Sequence, residues 1–361
     1  MDSSHTMSRS ETSPNTTSPK SSKSFVSSHT IQNNLQCTFL IVGGGIAGVS
    51  CAETINFLAS NEPIIILTES SLIKSVTNLV QLGKFIQKFD VKEIEFQELG
   101  NSQVQVVFDQ LKVIESKNKI VHTVNGKLIN YKFLCICTGA RPKLINSDVA
   151  ELILGIRDTE SVKQFQKRIK SGEKFVLVGN GGIASEIAYE ISNIEIDWVI
   201  KDQHISSTFI DAGASKFFES KLHNKDSTKY EHTVVKRLRY MEEKAEISQQ
   251  KGAALGPDWH RLINMSANSK DNINIHYGSE IRSVTRNKDG DHPLNVELTD
   301  GKRIESDFIV SATGVHPHLD FECDDELKLG PGGGIIVDEL MRSSIDSIYA
   351  AGDVCDANWD H

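Results

Sequence analysis

The feature that most constrains this 361-residue chain is an apolar run that ends in glycines and opens a helix, and it occurs twice. The first copy reads Thr38-Phe39-Leu40-Ile41-Val42, then Gly43-Gly44-Gly45-Ile46-Ala47-Gly48. An uninterrupted apolar run of this kind reads as a strand buried on both faces, as in parallel sheets. The helix after it keeps small residues (Ala47, Ser50, Ala52) where it must approach the sheet. Gly43 permits the tight turn, Gly45 lets a pyrophosphate approach the backbone, and Gly48 permits close helix–strand contact. The helix start adds free N–H groups and a positive dipole end. A second strand, Ile64-Ile65-Ile66-Leu67-Thr68, ends at Glu69, where a carboxylate can accept hydrogen bonds from ribose hydroxyls. Strand, glycines, helix, strand and acid in this order predict a dinucleotide-binding fold.

The second copy is Phe175-Val176-Leu177-Val178, then Gly179-Asn180-Gly181-Gly182-Ile183-Ala184. Ala184 replaces the third glycine, which the motif allows. The next strand, Asp197-Trp198-Val199-Ile200, ends at Lys201 and Asp202. An acid there suits a 2′-hydroxyl and a base suits a 2′-phosphate, so the pair leaves NADH and NADPH both open.

The halves share more than these turns. Asn125-Gly126 and Asp300-Gly301 read as type I′ hairpin signals. Each leads into an apolar strand, 133–137 and 308–312, that ends in Thr-Gly: Thr138 and Gly139, Thr313 and Gly314. Thirteen residues separate Gly126 from Gly139, and thirteen separate Gly301 from Gly314. This is an internal duplication. Gly43 to Gly139 spans 96 residues and Gly179 to Gly314 spans 135, so the second copy carries about 39 more. The surplus is assigned to the polar stretch 223–270, either a solvated helical excursion or an arm for a protein partner.

Ser or Thr fills 16 of the first 30 positions, so residues 1–35 are expected to be a disordered tail. No apolar run approaches the roughly 20 residues that span a bilayer, and a net charge of −9 disfavours nucleic acid as partner. Six scattered cysteines argue against a disulfide scaffold or a zinc domain and for a reducing compartment, the cytoplasm or the nucleus.

A third signal joins these. Gly332-Gly333-Gly334-Ile335-Ile336-Val337-Asp338 leads to Ser347-Ile348-Tyr349-Ala350-Ala351-Gly352-Asp353. Two tandem dinucleotide folds, each with a Thr-Gly strand, closed by Ile-Tyr-Ala-Ala-Gly-Asp, resemble the pyridine nucleotide–disulfide oxidoreductases over about residues 36–361. The resemblance implies an α/β architecture of two nested Rossmann-like domains. Residues 36–150 and 316–361 would hold FAD, and residues 151–315 NAD(P)H. By the same resemblance Asp353, after Gly352, binds the ribityl chain of FAD. The family carries a further helix and an interface domain after this motif, so a chain ending at His361 is expected to be C-terminally incomplete.

The family's electron relay is a cysteine pair near the first turn or in the second domain. Here no cysteine lies between 51 and 135 or between 137 and 323, and Ser75 and Thr77 stand where single-cysteine members carry their thiol. Cys135 and Cys137 share one face of a strand, where a disulfide would be strained. They are expected to be packing residues. What the resemblance leaves is hydride transfer from nicotinamide to flavin, then to oxygen, a quinone or a redox protein. The alternative is a redox-sensing interaction protein with slow turnover. Members pair a lysine beside flavin N5 with a glutamate of the second-domain helix; Glu186 stands at the matching place, and Lys74 is the candidate lysine. Thr138, Gly139, Arg141 and Gly314 are assigned to the cofactor sites, with Arg141, before Pro142, fixing the chain where the domains join; His316 and His318 could face the flavin but are assigned to the surface.

Overall fold

A computed structural model describes residues 34–82, 85–95, 104–191, 194–223 and 272–357. Nearly all of the tail expected over 1–35 and of the insertion expected over 223–270 lies outside these residues.

Two five-stranded parallel sheets carry the described chain. The first runs Ile348–Ala350, Phe133–Ile136, Phe39–Val42, Ile64–Thr68, Val104–Phe108. The second runs Ile153–Gly155, Phe308–Ser311, Lys174–Val178, Glu195–Ile200, Ile273–Tyr277. Their orders match. In each, the strand before the glycine turn is flanked by the strand carrying the acid and by the strand entering Thr-Gly. All five residues of Ile64–Thr68 are buried, as the unbroken apolar run requires.

Helix α1 (Ile46–Leu58) follows the first turn and buries Gly48, Val49 and Ala52. Helix α2 (Thr159–Ser171) starts at a capping box in which Asp158 accepts from the Ser161 N–H. Helix α3 (Gly182–Glu190) follows the second turn and buries Ala184, Ile187 and Ala188. Helix α4 (Ala212–His223) ends the described residues before the insertion. The core of the second half is centred on Phe165, Phe175 and Phe308. Phe175 and Phe308 are register neighbours with rings stacked at 5.1 Å.

Each half carries an antiparallel meander before its Thr-Gly strand: Leu111–Glu115, Ile120–Thr123 and Leu128–Asn130, then Ile281–Arg286, Leu294–Leu298 and Arg303–Ser306. The hairpins stand where expected, but their turn type is corrected. Only Gly126 and Gly301 have positive φ, +81° and +86°, not the residues before them. The Gly126 N–H donates to Thr123 O and the Gly301 N–H to Leu298 O. Each is therefore a type I turn closed by a glycine bulge, a three-residue loop rather than a two-residue one.

Two features were not expected. A long hairpin, Leu72–Leu82 with Phe85–Glu95, lies in the chain between the sheet strands Ile64–Thr68 and Val104–Phe108. The 39-residue surplus of the second half is thus a net difference. In addition, the segments after the two Thr-Gly pairs bond to each other: Ala140–Pro142 is antiparallel to Val315–Pro317, with Arg141 opposite His316.

Candidate functional site

The first glycine turn is shaped by backbone crowding on one side and open space on the other. Gly43 sits at φ +123°, and a Cβ there would lie 2.1 Å from the carbonyl oxygen of Cys137. A Cβ on Gly48 would lie 2.0 Å from the carbonyl oxygen of Gly43. Both glycines are demanded by the fold. At Gly45 a Cβ would meet nothing within 4 Å. The space in front of Gly45 opens on a cavity of about 690 Å³, within the range of cofactor sites. The residues present therefore fit a dinucleotide, with Gly45 and the first N–H groups of α1 facing room for phosphate.

The cavity is lined by residues 43–45, Glu69, Lys74, Thr138, Gly139, Gly352 and Asp353, which the sequence had spread over three hundred positions. Strand Ile348–Ala350 delivers Gly352 against α1, where a Cβ would come within 2.9 Å of the Ala47 Cβ. Gly48 lies beneath the turn. Ile183, in the first turn of α3, lines the same cavity, so the helix of the second glycine turn reaches the site of the first.

Arg157 is a functional candidate that sequence reasoning missed, and His318 is one that it ranked below a surface position. Arg157 packs across Gly139, where a Cβ would fall 2.5 Å from its Nη2, and that nitrogen lies 3.8 Å from Asp353 Oδ2. Its signal was its place just before the helix cap at Asp158. His318 was expected at the surface but is 8% exposed and lines the cavity. Its N–H donates to Gly139 O (2.8 Å) and its carbonyl accepts from Thr138 Oγ1 (2.6 Å). Those bonds draw the ring between Glu69 and Asp320, at 3.8 and 3.6 Å. Burial, then the Arg141 charge, holds its pKa below the ordinary histidine value despite these acids. His316 is exposed, as expected. Arg141 does not line the cavity; it bridges Glu69 (3.3 Å) and Asp320 (2.6 Å) at its edge.

At the second turn Gly179 sits at φ +125°, with a Cβ 2.3 Å from the carbonyl oxygen of Ala312, and Gly181 faces open space. Asp202 is held firmly. Its Oδ2 accepts from Asn180 Nδ2 (2.7 Å) and Ser207 Oγ (2.9 Å), and these bonds keep its carboxyl below the usual range. Asn180 also donates to His204 O and accepts from the Ser206 N–H. Lys201 is exposed, and Gly314, at φ +98°, accepts from the Lys143 N–H outside the cavity.

Glu186 does not line the cavity among the described residues, and the carboxylate 3.5 Å from Lys74 Nζ belongs to Glu93. Cys135 and Cys137 are free thiols whose sulfurs share a hydrogen bond at 3.6 Å, with no disulfide between them. The hydrogen bond with Cys137, then burial, pushes the Cys135 thiol well up, and the bond with Cys135, then burial, does the same to Cys51.

The chain matches the family model described as pyridine nucleotide-disulphide oxidoreductase over residues 38–258 and 253–361. It is 45% identical over 336 residues to pyridine nucleotide-disulfide oxidoreductase domain-containing protein 1 of Drosophila melanogaster, covering 90% of this chain and 71% of that protein. It is 39% identical to the Homo sapiens protein of the same name, covering 89% and 70%. Among solved structures, a ferredoxin reductase from Rhodopseudomonas palustris aligns with TM-score 0.61 at 18% identity, over 89% of this chain and 69% of that one. A water-forming NADH oxidase from Lactobacillus brevis aligns with TM-score 0.60 at 16% identity, over 88% and 62%.

Proposed function

Because the chain belongs to the pyridine nucleotide-disulphide oxidoreductase family, we propose that it is an FAD-dependent NAD(P)H oxidoreductase that works without a thiol relay. One observation carries this reading: residues 43–45 line a cavity that Ile183, in the helix opened by the second turn, also lines. FAD bound there would supply the two-electron chemistry, taking hydride from the nicotinamide and passing electrons to an acceptor.

The chain's own residues bind and orient. Gly45 and the N-terminus of α1 would receive the pyrophosphate. Glu69, steadied by Arg141, would accept ribose hydroxyls, and Asp353, near Arg157, would accept ribityl hydroxyls. At the second turn, Asn180 and Ser207 fix Asp202 as an acceptor for a 2′-hydroxyl, which favours NADH over NADPH. The raised pKa values of Cys51 and Cys135 support a relay-free route, because a protonated thiol is a poor nucleophile. The acceptor is a small molecule or redox protein.

The test is spectroscopic. Purified full-length protein should be yellow, and anaerobic NADH should bleach the flavin without a cysteine being consumed. A colourless protein that FAD cannot reconstitute would overturn the reading. Bleaching with negligible turnover on ferricyanide, quinone or oxygen would turn it toward a redox sensor.

A further inference from the structure

Lys74 enters the cavity under two constraints. Its backbone N–H donates to the carbonyl of Gly44 at 3.0 Å, which ties its Cα to the middle of the first glycine turn. Its ammonium lies 3.5 Å from Glu93 Oε1, and the same oxygen accepts a hydrogen bond from Thr159 Oγ1. Glu93 stands opposite Lys74 in the hairpin register, and Thr159 is the first residue of α2. The Glu93 side chain is 15% exposed and that of Lys74 24%. Beside them Ser70 Oγ donates to Glu160 Oε1 at 2.7 Å, a second tie between the first half and the start of α2.

A lysine left alone would swing its charge to water, since its ammonium is strongly hydrated and its stem flexible. A carboxylate that is itself enclosed and bonded by a hydroxyl can hold it. From this geometry we infer that Glu93, oriented by Thr159, is the positioning residue that keeps the Lys74 charge inside the flavin cavity. This rests on the proposed flavoenzyme reading and replaces Glu186 as partner of the lysine. The lysine then favours the negative charge that accumulates when the flavin is reduced, and the hairpin Leu72–Leu82 with Phe85–Glu95 exists in part to carry its partner.

The sign of one effect separates positioning from simple charge. Removing a negative charge near the cavity should by Coulomb's law alone make flavin reduction easier. If Glu93 acts by holding Lys74, its loss should make reduction harder.

The experiment uses the full chain loaded with FAD, with flavin content, melting temperature, flavin midpoint potential and stopped-flow reduction by NADH read together. Lys74→Met should slow reduction about tenfold and lower the potential. Glu93→Gln should act in the same direction, about fivefold, and add nothing in the Lys74→Met background, as coupled neighbours behave. Thr159→Val, which removes one hydroxyl, should give about threefold and keeps the test open if Glu93→Gln does not fold. Glu186→Gln should combine multiplicatively with Lys74→Met. A faster or higher-potential Glu93→Gln, multiplicative effects at 74 and 93, or an unchanged Thr159→Val would overturn the inference. So would an effect of Glu186→Gln that vanishes in Lys74→Met. Wild-type protein that binds no FAD would sink the functional reading itself, and this inference with it.

Discussion

Gly43 and Gly179 share a backbone conformation, at φ +123° and +125°, and each faces the last carbonyl before a Thr-Gly pair. The second residue of the turn and the acid at the end of the next strand set the halves apart. In the first half these are Gly44 and Glu69; Glu69 is about half exposed, with Arg141 at 3.3 Å and the His318 ring at 3.8 Å. In the second half they are Asn180 and Asp202, bonded to each other at 2.7 Å and to the loop beyond. The glycine between the turn's ends leaves the first site to be completed by what it holds. The asparagine completes the second site before anything arrives. With FAD in the first half and NAD(P)H in the second, as proposed, only the exchanging ligand would meet an empty site at every turnover, so only that site would gain from standing ready.

Gly43→Ala and Gly179→Ala should each cost at least ~3 kcal/mol, because each adds a Cβ onto a carbonyl oxygen at a positive φ. Denaturant titration should show similar losses; a tolerant Gly179→Ala would end the symmetry. At Gly45 and Gly181 an added Cβ meets no protein atom within 4 Å, so Gly45→Val and Gly181→Val should fold. The first should lose about tenfold or more in flavin content, while the second keeps flavin and loses its reduction by NADH. Equal flavin loss would mean that the halves are assigned wrongly.

The finer difference is sharpened by Asn180→Ala. It should raise the KM for NADH about tenfold with flavin content unchanged, since it frees Asp202 and the 204–207 loop. Asp202→Ser should lower the kcat/KM ratio of NADH to NADPH about tenfold, and an unchanged ratio would remove Asp202 from cofactor choice. The smallest effect is expected at Cys135→Ala, which should leave NADH oxidation within about twofold. Loss of turnover in a folded, yellow protein would restore a thiol to the pathway.

The glycine turns, the sheet strands and the internal repeat were legible because each is a local pattern enforced by burial or backbone crowding. The hairpin was not. Its strand Leu72–Leu82 buries Ile73 and Ser75 and exposes Leu79 and Val80, so the apolar alternation that marks a strand is partly inverted. Positive φ at Asn78 and a register shift after Thr77 break the period further. Ser75 is buried because its hydroxyl donates to Glu53 of α1 at 2.7 Å, a contact no single segment reveals. His318 was placed at the surface for a similar reason: its burial comes from Thr138 and Gly139, about 180 positions away. The turns at Gly126 and Gly301 were located but mistyped, since a dipeptide marks the bend and the hydrogen bonds decide its length.

The two-stranded ribbon of Ala140–Pro142 and Val315–Pro317 has an architectural consequence. The chain leaves the first half and comes back to it through paired strands, so the entrance and exit of everything between lie side by side. The second half is a cassette: cut out beyond the ribbon, it leaves two ends that a short turn can rejoin without moving the first sheet. The same junction lets a cassette of another length or lineage be spliced in, and it spares the first half the cost of waiting for its last strand across an open loop of unfolded chain.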